Sequence, residues 1–208
     1  MSSFPIVHVW SDIACPFCYI GKKRLLQVLP SDAVIRWHSF VLQPNQVTNP
    51  AITLNQFLAQ SKGWSEAQTA QIQHDVTAMA AKDDILMRMD KVIPANTIQA
   101  HLLIQMHAAL PSATAVVERL FKAYFEEGLN VDDPAILERI HFECGGDAEQ
   151  WSMREHPQWR KDLEKDLHQA AQMGVRGVPF TYFENHFTIS GAQELRVFKQ
   201  AVAQLMAQ

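Results

Sequence analysis

The chain has 208 residues, of which 48% are hydrophobic and 19% are charged, and its formal net charge is -4 at pH 7. This length fits one large domain, or one domain with a second inserted into it, and the hydrophobic content is enough for a proper core. The mildly acidic balance excludes the basic class of nucleic-acid or membrane-surface binders, and no apolar run is long enough to span a bilayer.

A β-α-β unit is predicted at the start of the chain. β-Branched and aromatic residues dominate segments 4–10 and 34–42, which are predicted strands, and a helix is expected between them from Cys15 to about Leu29. Pro16 fits the first turn of that helix, where its missing N–H is not needed. Two similar strands around one helix indicate a parallel pair with a right-handed connection.

The middle of the chain, residues 53–174, has helical periodicity and no convincing strand. Asn96 or Thr97 is expected to cap the helix that begins near Ile98. This block predicts an inserted all-helical domain, with 1–52 and 175–208 forming the other domain. The predicted helices cover residues 54–60, 65–82, 98–110, 117–127, 134–144 and 159–173.

Strand patterns return after the helical block. Segments 180–183 and 187–189 flank a short connection and predict a β-hairpin. The residues that follow, Ser190 and Gly191, are expected to open a closing amphipathic helix that runs to about Leu205.

The most informative motif is Cys15-Pro16-Phe17-Cys18, which lies where the first strand gives way to the first helix. A helix N-terminus favours negative charge, so the Cys15 thiol should ionise readily, and the thiolate is the attacking species in disulfide exchange. Cys15 is therefore expected to attack and Cys18 to resolve. A buried structural pair, or half of a zinc site completed by His141 and Cys144, are the alternatives; we predict no metal site.

The beginning of the chain and its cysteine content bear on the compartment. The first residues lack the basic and long apolar regions of a secretory signal, which predicts a cytoplasmic protein. Three cysteines are too few for a framework of structural disulfides. In a reducing compartment, a Cys-x-x-Cys pair is more typical of catalysis or metal binding than of a structural bridge.

Several further motifs are spread over nearly the whole chain and occur here in one combination. They lie at residues 12–21, 40–44, 96–97 with 100–101, 123–128, 174–180 and 190–193. In this combination the chain resembles the DsbA family. Within that family it is most similar to the FrnE-type branch, whose members are described as DsbA-like oxidoreductases or 2-hydroxychromene-2-carboxylate isomerase-like proteins.

The resemblance implies an α/β thioredoxin-like fold with an inserted all-helical domain, and a thiol–disulfide oxidoreductase that works through a mixed disulfide. Its partners would be protein or small-molecule thiols and disulfides, with glutathione as a co-substrate and no bound cofactor. The alternative is a glutathione-dependent isomerase or transferase of the kappa-like kind. Such relatives carry serine at the position of Cys15, which argues against this alternative without deciding it.

The resemblance also implies a substrate-binding surface around the cysteines. Val178 and Pro179 would form a cis-proline loop beside Cys15, exposing the Val178 backbone to a bound peptide or glutathione, although a plain turn proline is the alternative. Pro16 and Phe17 would contact substrate. Because Phe17 carries no charge, we expect a less oxidising pair than in relatives with histidine there.

Weaker candidates complete the predicted site. Ser190 and Gly191 would either cap the last helix or hold the γ-glutamyl carboxylate of glutathione at its N-terminus. Asp12 would either serve as a turn residue or relay a proton to Cys18. His101 is expected on a helix surface rather than in the cleft, and Cys144 is expected to fill space in the interior.

Overall fold

One mixed β-sheet organises the computed structural model, which describes residues 4–207. Its strands lie in the order β2-β1-β3-β4, with β1 parallel to β2, and β3 antiparallel to both β1 and β4. The predicted β-α-β unit and hairpin are therefore confirmed. The strands are β1 Val7–Ser11, β2 Ile35–Ser39, β3 Phe180–Phe183 and β4 Thr188–Ser190.

β2 is shorter than predicted because its partner β1 ends at Ser11, opposite Ser39. After β2, the N–H of Phe40 still donates to the Ser11 carbonyl at 3.0 Å, and the N–H of Leu42 donates to the Asp12 side chain at 2.7 Å. The periodicity of residues 34–42 shows their apolar character, but it does not show which acceptors their backbone groups find.

Nine α-helices lie in the described part of the chain, and seven of them fall between β2 and β3. The helical character predicted for the middle of the chain is confirmed; the domain boundaries stay a prediction. Within the described residues, no helix combines the length and apolarity needed to cross a membrane. The helices are α1 Pro16–Leu26, α2 Leu54–Lys62, α3 Glu66–Ala81, α4 Ile98–His107, α5 Ala113–Lys122, α6 Pro134–Glu143, α7 Ala148–Ser152, α8 Pro157–Gln172 and α9 Leu195–Met206, with a π-helical turn at Ala123–Glu127 after α5.

Side-chain caps explain most of the helix starts. Thr53 begins α2 through a capping box in which its side chain and that of Gln56 satisfy each other's backbone N–H groups. The N-cap residue of α4 is Thr97, whose side chain makes no capping bond, and the preceding Asn96 side chain accepts the Ile98 N–H at 2.8 Å. Helix α7 was not predicted because five residues are too few to show a helical period.

The start of the last helix was predicted wrongly. Ser190 is the final residue of β4 and pairs with Phe180. Gly191 follows with φ 78°, a left-handed conformation that favours glycine, and its N–H donates to the Pro179 carbonyl at 2.8 Å. Because sheet pairing extends to Ser190 and this turn follows it, α9 begins only at Leu195, after its N-cap residue Glu194.

Helix α8 is fastened to one face of the sheet by Asp166. Its carboxylate contacts His38 Nδ1 at 2.6 Å, and its carbonyl accepts the Trp10 indole N–H at 3.2 Å. The other face, which carries Val7 and Val9, packs into the main hydrophobic core. Successive residues of a strand point to opposite faces, so β1 joins both sides of the sheet.

A pair of buried histidines lies inside the helical segment. His107 Nε2 is 2.8 Å from His141 Nδ1, and both side chains are fully buried. Burial, together with the nearby charge of His141, lowers the pKa of His107 to about 4. In residues 4–207 no group of three or more histidines, cysteines or carboxylates is arranged to hold a metal ion.

This pair predicts a loss of stability in mild acid. Unfolded His107 takes up a proton near pH 6.5 while folded His107 stays neutral until about pH 4, so the free energy of unfolding falls as the pH falls through that window. We expect His107 to account for about 2 kcal/mol between pH 7 and pH 5. Urea unfolding of the wild type and His107→Gln at both pH values measures it. Equal pH dependence in the two proteins would contradict the prediction.

Candidate functional site

The two motif cysteines lie where β1 leads into α1. Cys15 is the N-cap residue of α1, Pro16 is its first helical residue, and the Cys18 N–H donates to the Cys15 carbonyl at 3.0 Å. Both thiols are free. Cys15 is 5% exposed and borders a cleft, whereas Cys18 is 1% exposed and does not line this cleft.

The two thiols differ in acidity. A hydrogen bond from the Cys18 thiol lowers the pKa of Cys15, and the backbone N–H groups of Cys18 and Phe17 add to this effect against the cost of burial. Burial and the neighbouring Cys15 sulfur raise the pKa of Cys18 well above its usual range. The thiol that ionises more easily is therefore the one at the helix start and next to the cleft.

The loop before β3 lies against Cys15. The Val178–Pro179 peptide bond is cis, and the Cys15 Sγ is 3.6 Å from the Val178 carbonyl oxygen, to which it donates. Helix α1 packs closely on this loop because Gly21 has no side chain; a Cβ there would lie 2.9 Å from Pro179 Cγ. The structure thus brings the cysteine motif and the Val178–Pro179 loop together, although they are more than 150 residues apart in the chain.

Ser190 and Gly191 border the same loop but form no helix N-terminus. The Gly191 N–H is already donated to the Pro179 carbonyl at 2.8 Å, so it holds the loop in place. An anion site at the start of α9 therefore loses its geometric basis at these two residues.

Asp12 is a buried residue of the site, and its carboxylate organises the turn before Cys15. It accepts the N–H groups of Ala14 at 3.1 Å and Leu42 at 2.7 Å, and lies 3.3 Å from His101 Nε2. Burial opposes its ionisation, but the hydrogen bond and charge of His101, with the two backbone N–H groups, outweigh burial and lower the pKa of Asp12.

His101 was wrongly expected on a helix surface. It is fully buried, because α4 packs against the rest of the protein on nearly all sides. The neighbouring residues Ala100, Leu103 and Ile104 were the available signal, since such an apolar run around a histidine is typical of a buried helix.

The cleft beside Cys15 has a volume of about 290 Å³ and a mostly apolar lining. Pro16 and Phe17 form one wall, and helices α2 and α3 and the π-helical turn form the others. Its charged lining residues are Asp12 and Lys62. The sequence did not reveal the far walls, which come from distant segments; they include Leu54, Phe57, Ile72, Val76, Tyr124 and Phe125.

A second cavity, of about 270 Å³, lies between α4, α6 and α7. Leu102, Met106, Leu137 and Trp151 line it, and neither motif cysteine borders it. Cys144, expected to fill the interior, is only partly buried and packs against the main core. Of these two cavities only the first borders a motif cysteine, so the candidate active site lies at the first cleft.

Phe17 offers a direct test of what sets the Cys15 pKa. Its side chain is 39% exposed at the cleft wall, and its backbone N–H is one of the groups that stabilise the Cys15 thiolate. We expect Phe17→His to lower the pKa of Cys15 further through the added imidazolium charge. Thiolate absorbance against pH measures it, with Phe17→Leu as control; an equal shift in the control would attribute the effect to lost packing instead.

Several solved structures are similar to this chain over nearly its whole length, including the following three. A probable DsbA oxidoreductase from Streptomyces coelicolor is 27% identical with a TM-score of 0.88, covering 98% of this chain and 91% of that chain. A 2-hydroxychromene-2-carboxylate isomerase is 19% identical with a TM-score of 0.71, covering 98% and 97%. The cytosolic disulfide reductase DsbM from Pseudomonas aeruginosa, solved with GSH, is 17% identical with a TM-score of 0.66, covering 98% and 100%.

These similarities confirm the DsbA-like thioredoxin fold that the sequence motifs implied. The model of the DSBA-like thioredoxin domain matches residues 6–203. That span contains the whole sheet, both motif cysteines, the Val178–Pro179 loop and every helix from α1 to α8. The chain therefore belongs to the DSBA-like thioredoxin domain family.

Proposed function

We propose that this protein is a thiol–disulfide oxidoreductase in which Cys15 attacks and Cys18 resolves. The observation that carries the proposal is the asymmetry of the pair: the pKa of Cys15 is lowered at the edge of the cleft, whereas that of the fully covered Cys18 is raised. A nucleophile must be ionised and reachable, and a resolving thiol needs only to reach its neighbour. The family and its disulfide oxidoreductase neighbours support the same conclusion.

The reaction transfers two electrons from the Cys15/Cys18 dithiol to the substrate disulfide, so one disulfide is reduced while the other forms. The Cys15 thiolate attacks one sulfur of a substrate disulfide, a mixed disulfide forms, and the second substrate sulfur leaves as a thiolate that takes up a proton. Cys18 then loses its proton and attacks the Cys15 sulfur. This step releases the first substrate thiol and leaves a Cys15–Cys18 disulfide, and the same steps in reverse oxidise a substrate dithiol.

The proposed partners are thiols and disulfides of proteins or small molecules, with glutathione as a co-substrate. The DsbM structure with GSH supports glutathione, and the Val178 carbonyl beside the Cys15 sulfur supports backbone pairing with an extended ligand. Pro16 and Phe17 line the cleft together with Cys15, and Pro179 follows Val178 in the adjacent loop; these residues are the proposed contacts. Contacts at Ser190 and Gly191, and a cytoplasmic location, stay predictions.

The equilibrium of the pair in glutathione redox buffers tests the proposal. We expect Cys15 and Cys18 to titrate together as one two-electron couple, with mass spectrometry used to monitor their oxidation. We also expect disulfide exchange activity to disappear in Cys15→Ser. Tight glutathione binding without any exchange would overturn the proposal and favour a glutathione-dependent isomerase.

A further inference from the structure

A π-helical turn at Ala123–Glu127 reaches the cleft beside Cys15. The N–H of Gly128 donates to the carbonyl of Ala123, five residues earlier, which widens the helix by one residue. The consecutive residues Tyr124 and Phe125 both line the cleft. The disulfide exchange proposed above does not involve this turn, yet π-helical turns recur at functional sites.

Tyr124 brings a hydroxyl group to the wall formed by the π-helical turn, whose other lining residue, Phe125, is apolar. The Tyr124 side chain is only 3% exposed, and it borders the same cleft as Cys15 and Asp12. A phenol hydroxyl carries one hydrogen that it can donate to an acceptor in the cleft. The Asp12 carboxylate accepts hydrogen bonds from the backbone N–H groups of Ala14 and Leu42 and contacts His101 Nε2. Within residues 4–207, no hydrogen bond joins it to the Tyr124 hydroxyl.

The surroundings keep Tyr124 protonated. Burial, and then the nearby Asp12 carboxylate, raise the pKa of Tyr124 well above its usual range, so the phenol donates a hydrogen bond and does not act as a base near neutral pH. The two charged lining residues do not replace this donor. Asp12 is an acceptor, and Lys62 is exposed at the last residue of α2.

We propose that the Tyr124 hydroxyl donates a hydrogen bond to the substrate sulfur that leaves when Cys15 attacks. The inference rests on the proposed disulfide exchange. The Cys15 sulfur forms the new bond, the electron pair of the broken S–S bond goes to the leaving sulfur, and Tyr124 retains its proton throughout. A hydrogen bond to a charged acceptor is stronger than one to a neutral acceptor, so the contact strengthens as the bond breaks.

The test compares two uncharged disulfides with leaving groups of different basicity. The hydrogen bond should matter more for the basic thiolate of bis(2-hydroxyethyl) disulfide than for the weakly basic one of 4,4′-dithiodipyridine. We expect Tyr124→Phe to lower the second-order rate constant of the reduced protein about tenfold with the first and less than about threefold with the second. The Cys15 thiolate titration of the variant provides the correction for the amount of thiolate present.

Tyr182→Phe is the matched control, because Tyr182 lies on β3 outside the cleft lining, and it should change neither rate. If Tyr124→Phe slows both disulfides equally, or neither, the role of Tyr124 is overturned while the oxidoreductase stands. If the wild type reacts with neither disulfide, both proposals fail. A structural role alone would not make the effect depend on the leaving group.

Discussion

A Cys18→Ser variant will accumulate a covalent adduct on Cys15 when it reacts with a disulfide substrate. The Cys15 thiolate can still attack, since the backbone N–H groups at the helix start remain in place. Without the second thiol the mixed disulfide has no internal route to resolution. We expect steady-state turnover to fall by about two orders of magnitude or more, while the first step proceeds.

Intact-mass measurement under non-reducing conditions identifies the adduct, and added dithiothreitol should release it. The matched control is Cys144→Ser, because Cys144 lies on the helical segment, away from the cleft lining, and has a pKa raised by burial. This control should form no lasting adduct and keep its turnover. An adduct that maps to Cys144, or full turnover in Cys18→Ser, would contradict the proposed order of attack and resolution.

Gly146→Ala will destabilise the protein by about 3 kcal/mol. A Cβ at Gly146 would lie 2.1–2.4 Å from three ring atoms of His141. That ring is fully buried, and its two nitrogens are held by His107 at 2.8 Å and by the Asp147 carbonyl at 2.9 Å. Because the ring cannot move without breaking these contacts, the added methyl group must displace the backbone that follows α6.

Urea unfolding at pH 7 measures the change, with Gly177→Ala as the control. Gly177 has no atom within 4 Å of a built Cβ and does not require a left-handed backbone, so its substitution should cost less than about 0.5 kcal/mol. Equal stability of the two variants would show that the His141 ring yields, and that the buried pair is less rigid than its hydrogen bonds indicate.

Local patterns allowed much of the fold to be predicted. The strand at residues 180–183, the start of α4 just after Asn96 and Thr97, and the helix opened by Pro16 follow from neighbouring residues, because propensity and capping act over a few positions. The start of α9 failed for the opposite reason. Whether Ser190 pairs in a strand or opens a helix depends on Phe180, which lies across the hairpin.

In the candidate site, too, some features could be predicted from neighbouring residues and others could not. The position of Cys15 ahead of α1 could be predicted, since the motif and the helix signal are adjacent in the chain. The burial of His101 against Asp12 could not be predicted, because the two residues are 89 positions apart. The hydrogen-bond partner of a buried polar residue is set by the tertiary packing.

The sequence by itself determined the secondary-structure order, the redox motif at a helix start and the family resemblance, because each depends on residues close together or on motif combinations. Only the tertiary structure decided which thiol borders a cleft, which segments form its walls, and that Tyr124 and Asp12 line the same cleft. Exposure and acidity depend on what packs around a group in space, and chain order does not encode those neighbours directly.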